Sequence, residues 1–170
     1  MIFRWVGACL IVLGCGSFGI IIASNYRKEM ITLKKLIAAL DYMECELQYR
    51  MSALPDLCRQ TAAESDGILK SIFSSLAVEL EDQISPDVQQ CMKSVLAKTK
   101  NVPAQTSHCL CQLSHSLGRF DLQGQIKGLE SARQECRVRL SKLSGNADVR
   151  IRSYQTLGLC AGAALVILFI

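Results

Sequence analysis

The 170-residue sequence predicts an all-α protein: an antiparallel bundle of about five or six helices, tethered to a membrane by a helix at its N-terminal and C-terminal ends. Three observations predict it. Apolar residues recur at spacings of three and four through the middle of the chain, without the sustained period-two alternation a sheet needs. Proline, glycine and capping residues cut that pattern into pieces of helix length. Of the 34 charged residues, 33 lie between Arg27 and Arg152, with only Arg4 outside. The mean hydropathy of +0.24 therefore averages a middle of ordinary polarity with two uncharged apolar ends. That distribution excludes a plain globular domain, a polytopic transporter and a disordered chain.

The first apolar run, residues 5–23, reads WVGACLIVLGCGSFGIIIA. At 1.5 Å per residue it spans roughly 28 Å, the length of a transmembrane helix. Trp5 and Tyr26 sit where interfacial aromatics are favoured. The second run, residues 154–170, reads YQTLGLCAGAALVILFI and includes a small-residue pair, Gly158 and Gly162, at the spacing that lets membrane helices approach. Arg27, Lys28, Lys34 and Lys35 follow the first run, and Arg139, Lys142, Arg150 and Arg152 precede the second. The positive-inside rule then places residues 24–153 in the cytoplasm, with the arginines at 150 and 152 in reach of anionic headgroups. An alternative is an exported lipoprotein or membrane-anchored adaptor, because Val12-Leu13-Gly14-Cys15 resembles a lipobox. Against it, the chain stays apolar after Cys15, and no clear small-residue cleavage site precedes Asn25.

Between the runs, residues 25–50 form one long helix with Leu33, Leu36, Ile37, Leu40, Met43 and Leu47 on its apolar stripe. Ser52 is the expected N-cap of a second helix, with Pro55 in its first turn and Leu54, Leu57 and Cys58 inward, running to Ala63. Asp66 is the expected cap of a third, carrying Ile68, Leu69, Ile72, Phe73, Leu76 and Leu80. Ser85-Pro86 opens a fourth with Val88, Cys91, Met92, Val95 and Leu96. After the Asn101-Val-Pro103 break, a fifth uses Cys109, Leu110, Leu113 and Leu117 and ends at Gly118. Asp121 caps the last, with Ile126, Leu129, Ala132, Cys136, Val138, Leu140 and Leu143, which runs on toward the second apolar segment.

The chemistry-bearing residues are few. There is no phosphate-binding G-x-x-x-x-G-K-[ST], nucleophile-elbow G-x-S-x-G or zinc-binding H-E-x-x-H. The nine cysteines are an odd number, and most lie on helices, which fits reduced thiols in a cytosolic compartment. His108, Cys109, Cys111 and His115 offer four zinc-type donors, but on one helix they face different directions and cannot converge. No metal, cofactor or enzymatic activity is expected. The net charge of +4 and 6% aromatic content argue against nucleic acid as a partner. Glu44 and Glu46, two apart on a helix, diverge and suit a solvated face or a partner contact better than acid–base work. Arg133, Arg137 and Arg139 make a basic stripe interleaved with Glu130 and Glu135.

The residues also carry a family resemblance. Leu33-Lys-Lys-Leu-Ile-Ala-Ala-Leu40, then Met43-Glu-Cys-Glu-Leu-Gln-Tyr49 and Leu54-Pro55, follow the order of the stage III sporulation protein AB family. So do Leu110, Leu113, Leu117-Gly118, Asp121, Gln125 and Leu129, and finally Tyr154, Leu157-Gly158 and the terminal apolar helix. The chain departs from the family pattern at Met43, usually leucine, and at Ser52-Ala53 in place of Thr-Pro, which leaves the turn chemistry to Pro55. The resemblance implies a component of a multiprotein channel between mother cell and forespore, in the outer forespore membrane and facing the mother-cell cytoplasm. It also implies a helical domain similar to that of the type II secretion platform protein, a scaffold linking a cytoplasmic secretion-type ATPase to the membrane channel. The residues expected to meet partners are Glu44, Glu46 and Tyr49, with Arg133 and Arg137.

Overall fold

The computed structural model describes the backbone of residues 2–82, 87–118 and 121–169, with side chains described within 24–145 and at Thr156. Six helices and no strand occupy the described residues: α1 (Ile2–Arg50), α2 (Leu54–Glu64), α3 (Ile68–Glu81), α4 (Val88–Lys98), α5 (Ala104–Ser116) and α6 (Leu122–Phe169). They fall into two units.

One unit comprises residues 1–28 and 142–170. It contains both apolar runs, 5–23 and 154–170, whose side chains lie outside the described residues except for Thr156. Among the described residues no helix is long and apolar enough to cross a membrane.

The other unit, residues 29–141, holds the core. On α1 the stripe Leu33, Leu36, Leu40, Met43 and Leu47 is buried, as its helical spacing requires, while Ile37 stays half-buried at the edge. Against it gather Leu57 and Cys58 of α2, Leu69, Ile72, Phe73 and Leu76 of α3, Cys91, Met92 and Val95 of α4, Cys109, Leu110 and Leu113 of α5, and Leu129, Ala132 and Cys136 of α6. Consecutive helices pack on one another from α2 through α5. The last helix runs antiparallel to α5: Arg139 meets Gln105 near the start of α5, whereas Gly128 lies against Ser116 at its end. Val138 departs from the expected inward set and is exposed. Two residues beyond Cys136, it sits on the far side of the helix.

The helix ends differ from expectation in instructive ways. Asp121 Oδ1 accepts the Gly124 N–H at 2.9 Å, so the last helix is capped as predicted. The cap of α2 is Ala53, not Ser52, and it gives no side-chain hydrogen bond; Pro55 in the first turn and the extended Ala53 backbone set the start. Helix α3 begins after Gly67 at φ 60°, and Asp66 does not cap it but pairs with Lys35 at 3.6 Å. Helix α4 begins after Asp87, whose carboxylate accepts the Gln89 N–H; Ser85 and Pro86 lie outside the described residues. Gly118 closes α5 as expected, at φ 75°, where a Cβ would also stand 2.8 Å from Val88 Cγ2.

Candidate functional site

The expected partner residues separate into two groups. Asp41 and Glu44 lie one turn apart on α1, so both carboxylates point the same way. Arg133 of α6 lies opposite, and its Nη1 donates to Asp41 Oδ1 and Glu44 Oε2, each at 2.7 Å. The side chains of Arg133 and Glu44 are 21% and 19% exposed. The hydrogen bond to Asp41, followed by the charge of Glu44, raises the Arg133 pKa and keeps the guanidinium charged. Glu44 and Arg133 thus join α1 to α6. Asp41, which sequence reasoning passed over, completes the cluster; its i, i+3 spacing to Glu44 was the available signal.

Glu46 turns to another face of α1. It sits 3.5 Å from Arg50 and hydrogen-bonds the Tyr42 side chain, whose pKa is raised by burial first and by Glu46 next. Tyr42 helps wall a groove of about 300 Å³ floored by Ala38 and Ala39, with Lys35, Glu64 and Asp66 around it. Tyr49 is 84% exposed, and Met51 in the following turn is 71% exposed. Met51 also holds φ 49°, a left-handed conformation that non-glycine residues rarely adopt. Arg137 is exposed on α6 beside Lys127, Glu130 and Gln134. Of the five expected residues, then, Tyr49 and Arg137 face outward, Glu44 and Arg133 are paired with each other, and Glu46 lies between those extremes.

The rest of the basic stripe is also engaged. Arg139 donates to Glu135 at 2.6 Å, to Gln105 and to His108 Nδ1 at 3.0 Å. That geometry, the Glu135 hydrogen bond first, raises its pKa. Of the four zinc-type donors, His108 meets Arg139, His115 meets Gln89 Nε2 at 3.0 Å, Cys109 faces Cys136, and Cys111 is half-buried elsewhere. Among the described residues no group of three or more His, Cys, Asp or Glu could hold a metal ion. A further buried charge, Glu79 on α3, was missed because it interrupts an apolar stripe. It accepts from Lys98 Nζ at 2.7 Å and Ser94 Oγ at 2.9 Å of α4.

These features define an all-α bundle in which several polar side chains tie helices together, while Tyr49 and Met51 at the α1–α2 turn and Arg137 on α6 face outward. A solved structure of a stage III sporulation protein AB shares the fold, with a TM-score of 0.61 at 21% identity, covering 71% of this chain and 96% of that one. The sequence profile of the stage III sporulation protein AB family matches residues 4–170, and the chain belongs to that family. None of the curated proteins matches it.

Proposed function

We propose that this protein is a non-enzymatic membrane scaffold in the channel complex between mother cell and forespore, linking a secretion-type ATPase to the membrane channel. Family membership over residues 4–170 carries the reading. Two further observations support it. The apolar runs 5–23 and 154–170 are each of membrane-spanning length, and basic residues flank both on the side of the bundle sequence. Tyr49 and Met51 are both exposed near one turn, and Tyr and Met are among the residue types enriched at protein interfaces. In this reading the spans anchor the chain in the outer forespore membrane, residues 24–153 face the mother-cell cytoplasm, and the ATPase is received at Tyr49 and along α6 near Arg137.

Tyr49→Ala and Arg137→Glu are the suitable test changes, because both side chains are exposed and neither closes the α1–α6 ion pair. Both variants are expected to melt as the wild type does and to retain less ATPase in a pull-down. Undiminished retention by the double variant would remove this surface from the interface. Alkaline phosphatase fused within residues 60–100 is expected to be inactive; activity there would place the bundle outside the cytoplasm.

A further inference from the structure

We propose that Cys109 and Cys136 are a redox modification site: a dithiol across the α5–α6 interface that a small disulfide converts into an internal cross-link. Both residues are buried, at 2% and 0% exposure, and they lie near enough across α5 and α6 for each thiol to act on the other's ionisation. Their neighbours fix the register on both sides. One turn away Arg139 ties Gln105 and His108 of α5 to α6, and at the other end Gly128 lies against Ser116. A Cβ at position 128 would overlap the Ser116 side chain, so the helices approach as closely there as glycine allows. From that point α6 continues with Ala132 and Cys136 at four-residue spacing, small side chains that keep the helices near each other. Close helices are what a disulfide needs, since its Cβ atoms must stand about 3.5–4.5 Å apart.

The two thiols are also unequal. The hydrogen bond from Cys136, aided by Arg139, holds the Cys109 thiol below its ordinary pKa, and the same bond together with burial pushes Cys136 up. Cys58, by contrast, has only burial acting on it and is pushed up to about 12. Arg139, which hydrogen-bonds the adjacent His108, sets a positive charge beside Cys109 and makes it the attacking group. Its thiolate attacks one sulfur of a small disulfide such as oxidised glutathione, forming a mixed disulfide and expelling one thiolate. Cys136 then loses its proton and attacks the Cys109 sulfur, forming the Cys109–Cys136 bond and expelling the second thiolate. Two cysteine thiols are oxidised, the small disulfide is reduced to two thiols, and these take up the two protons. Burial makes the reaction wait for α5 and α6 to part, so it runs more slowly than modification of exposed Cys45.

The test uses the full-length protein in detergent micelles, incubated with oxidised glutathione, then denatured, alkylated, digested and analysed by mass spectrometry. A peptide pair linked through Cys109 and Cys136 should accumulate, disappear on reduction, and persist in a Cys45→Ser/Cys111→Ser variant. The oxidised protein should melt higher than the reduced one. Cys136→Ser, with helicity checked by circular dichroism, should instead trap glutathione on Cys109. The proposal is overturned if wild-type Cys109 and Cys136 are both recovered alkylated after Cys45 has reacted fully. It is equally overturned if either is linked chiefly to another cysteine, or if a glutathione adduct at Cys109 stalls in the wild type.

Discussion

Thr106 lies fully buried in the first turn of α5, and its hydroxyl has no hydrogen-bond partner. An unpaired buried hydroxyl costs about 1–3 kcal/mol, whereas a methyl of similar size fits the same space. Thr106→Val should therefore stabilise the protein by about 1 kcal/mol, raising the melting temperature by about 2–4 °C in a thermal denaturation series. Thr61 is the control: its hydroxyl donates to Leu57 O at 2.7 Å, so Thr61→Val should lose stability. Glu79 makes a pH prediction. Its carboxyl is held below its ordinary pKa by the Lys98 hydrogen bond first and by Ser94 as well, against the opposing effect of burial. A depressed carboxyl pKa contributes stability above the unfolded-state value of about 4.3, lost as pH falls through the folded-state value. Acid titration of the melting temperature should thus fall more steeply below about pH 4 in the wild type than in Glu79→Gln. Lys98 is largely exposed, so Lys98→Ala should cost only about 1 kcal/mol at neutral pH. Side chains such as these mark where sequence reading stopped. Glu44 and Arg133 could be named but not joined, because periodicity places a residue on a helix face without saying which helix stands opposite.

Among the elements, α6 depends most visibly on one position. A Cβ at Gly128 would overlap Ser116, and the contact falls on Cβ itself, so no rotamer relieves it. Ala is the better helix former by about 1 kcal/mol, but overpacking costs about 1–3 kcal/mol, and the steric term should win. Gly128→Ala is expected to lower stability in urea denaturation, and Ser116→Gly in the same chain should restore much of it by moving the missing Cβ to the other helix. Single-variant loss without rescue would mean the two helices part instead of overlapping. The number, order and apolar stripes of the helices were legible because burial follows the 3.6-residue period. The starts were less so. Ser52 and Asp66 have good capping side chains, yet the helices begin after Ala53 and Gly67, where Pro55 and a positive-φ glycine settle the backbone. Asp121 was read correctly because nothing nearby competes with it. The α1–α2 turn carries a backbone cost at Met51, which holds φ 49°. Met51→Gly removes a left-handed strain of about 1–2 kcal/mol but frees the unfolded chain, so stability should change by less than about 1 kcal/mol. Its effect should appear in ATPase retention instead.

At the scale of the whole molecule, the distribution of charge and apolar sequence separates two tasks. Every buried hydrophobic side chain among the described residues lies between Leu33 and Cys136, and six helices contribute to that set. The charged residues are concentrated in almost the same interval, so this part of the chain has both a core and a polar surface of its own. The apolar runs 5–23 and 154–170 have a composition that suits a lipid environment. A fragment of residues 24–145 is therefore expected to fold without either run. It should show helical circular dichroism, a single cooperative thermal transition and dispersed methyl resonances, and it should leave the membrane fraction on cell lysis. The full-length chain should stay with membranes through a high-salt wash, which strips proteins held only by charge. A fragment that melts without cooperativity would assign the outer segments a part in folding. A cooperative fragment that remained on membranes until salt was added would shift the anchoring from the apolar runs to the lysines and arginines beside them.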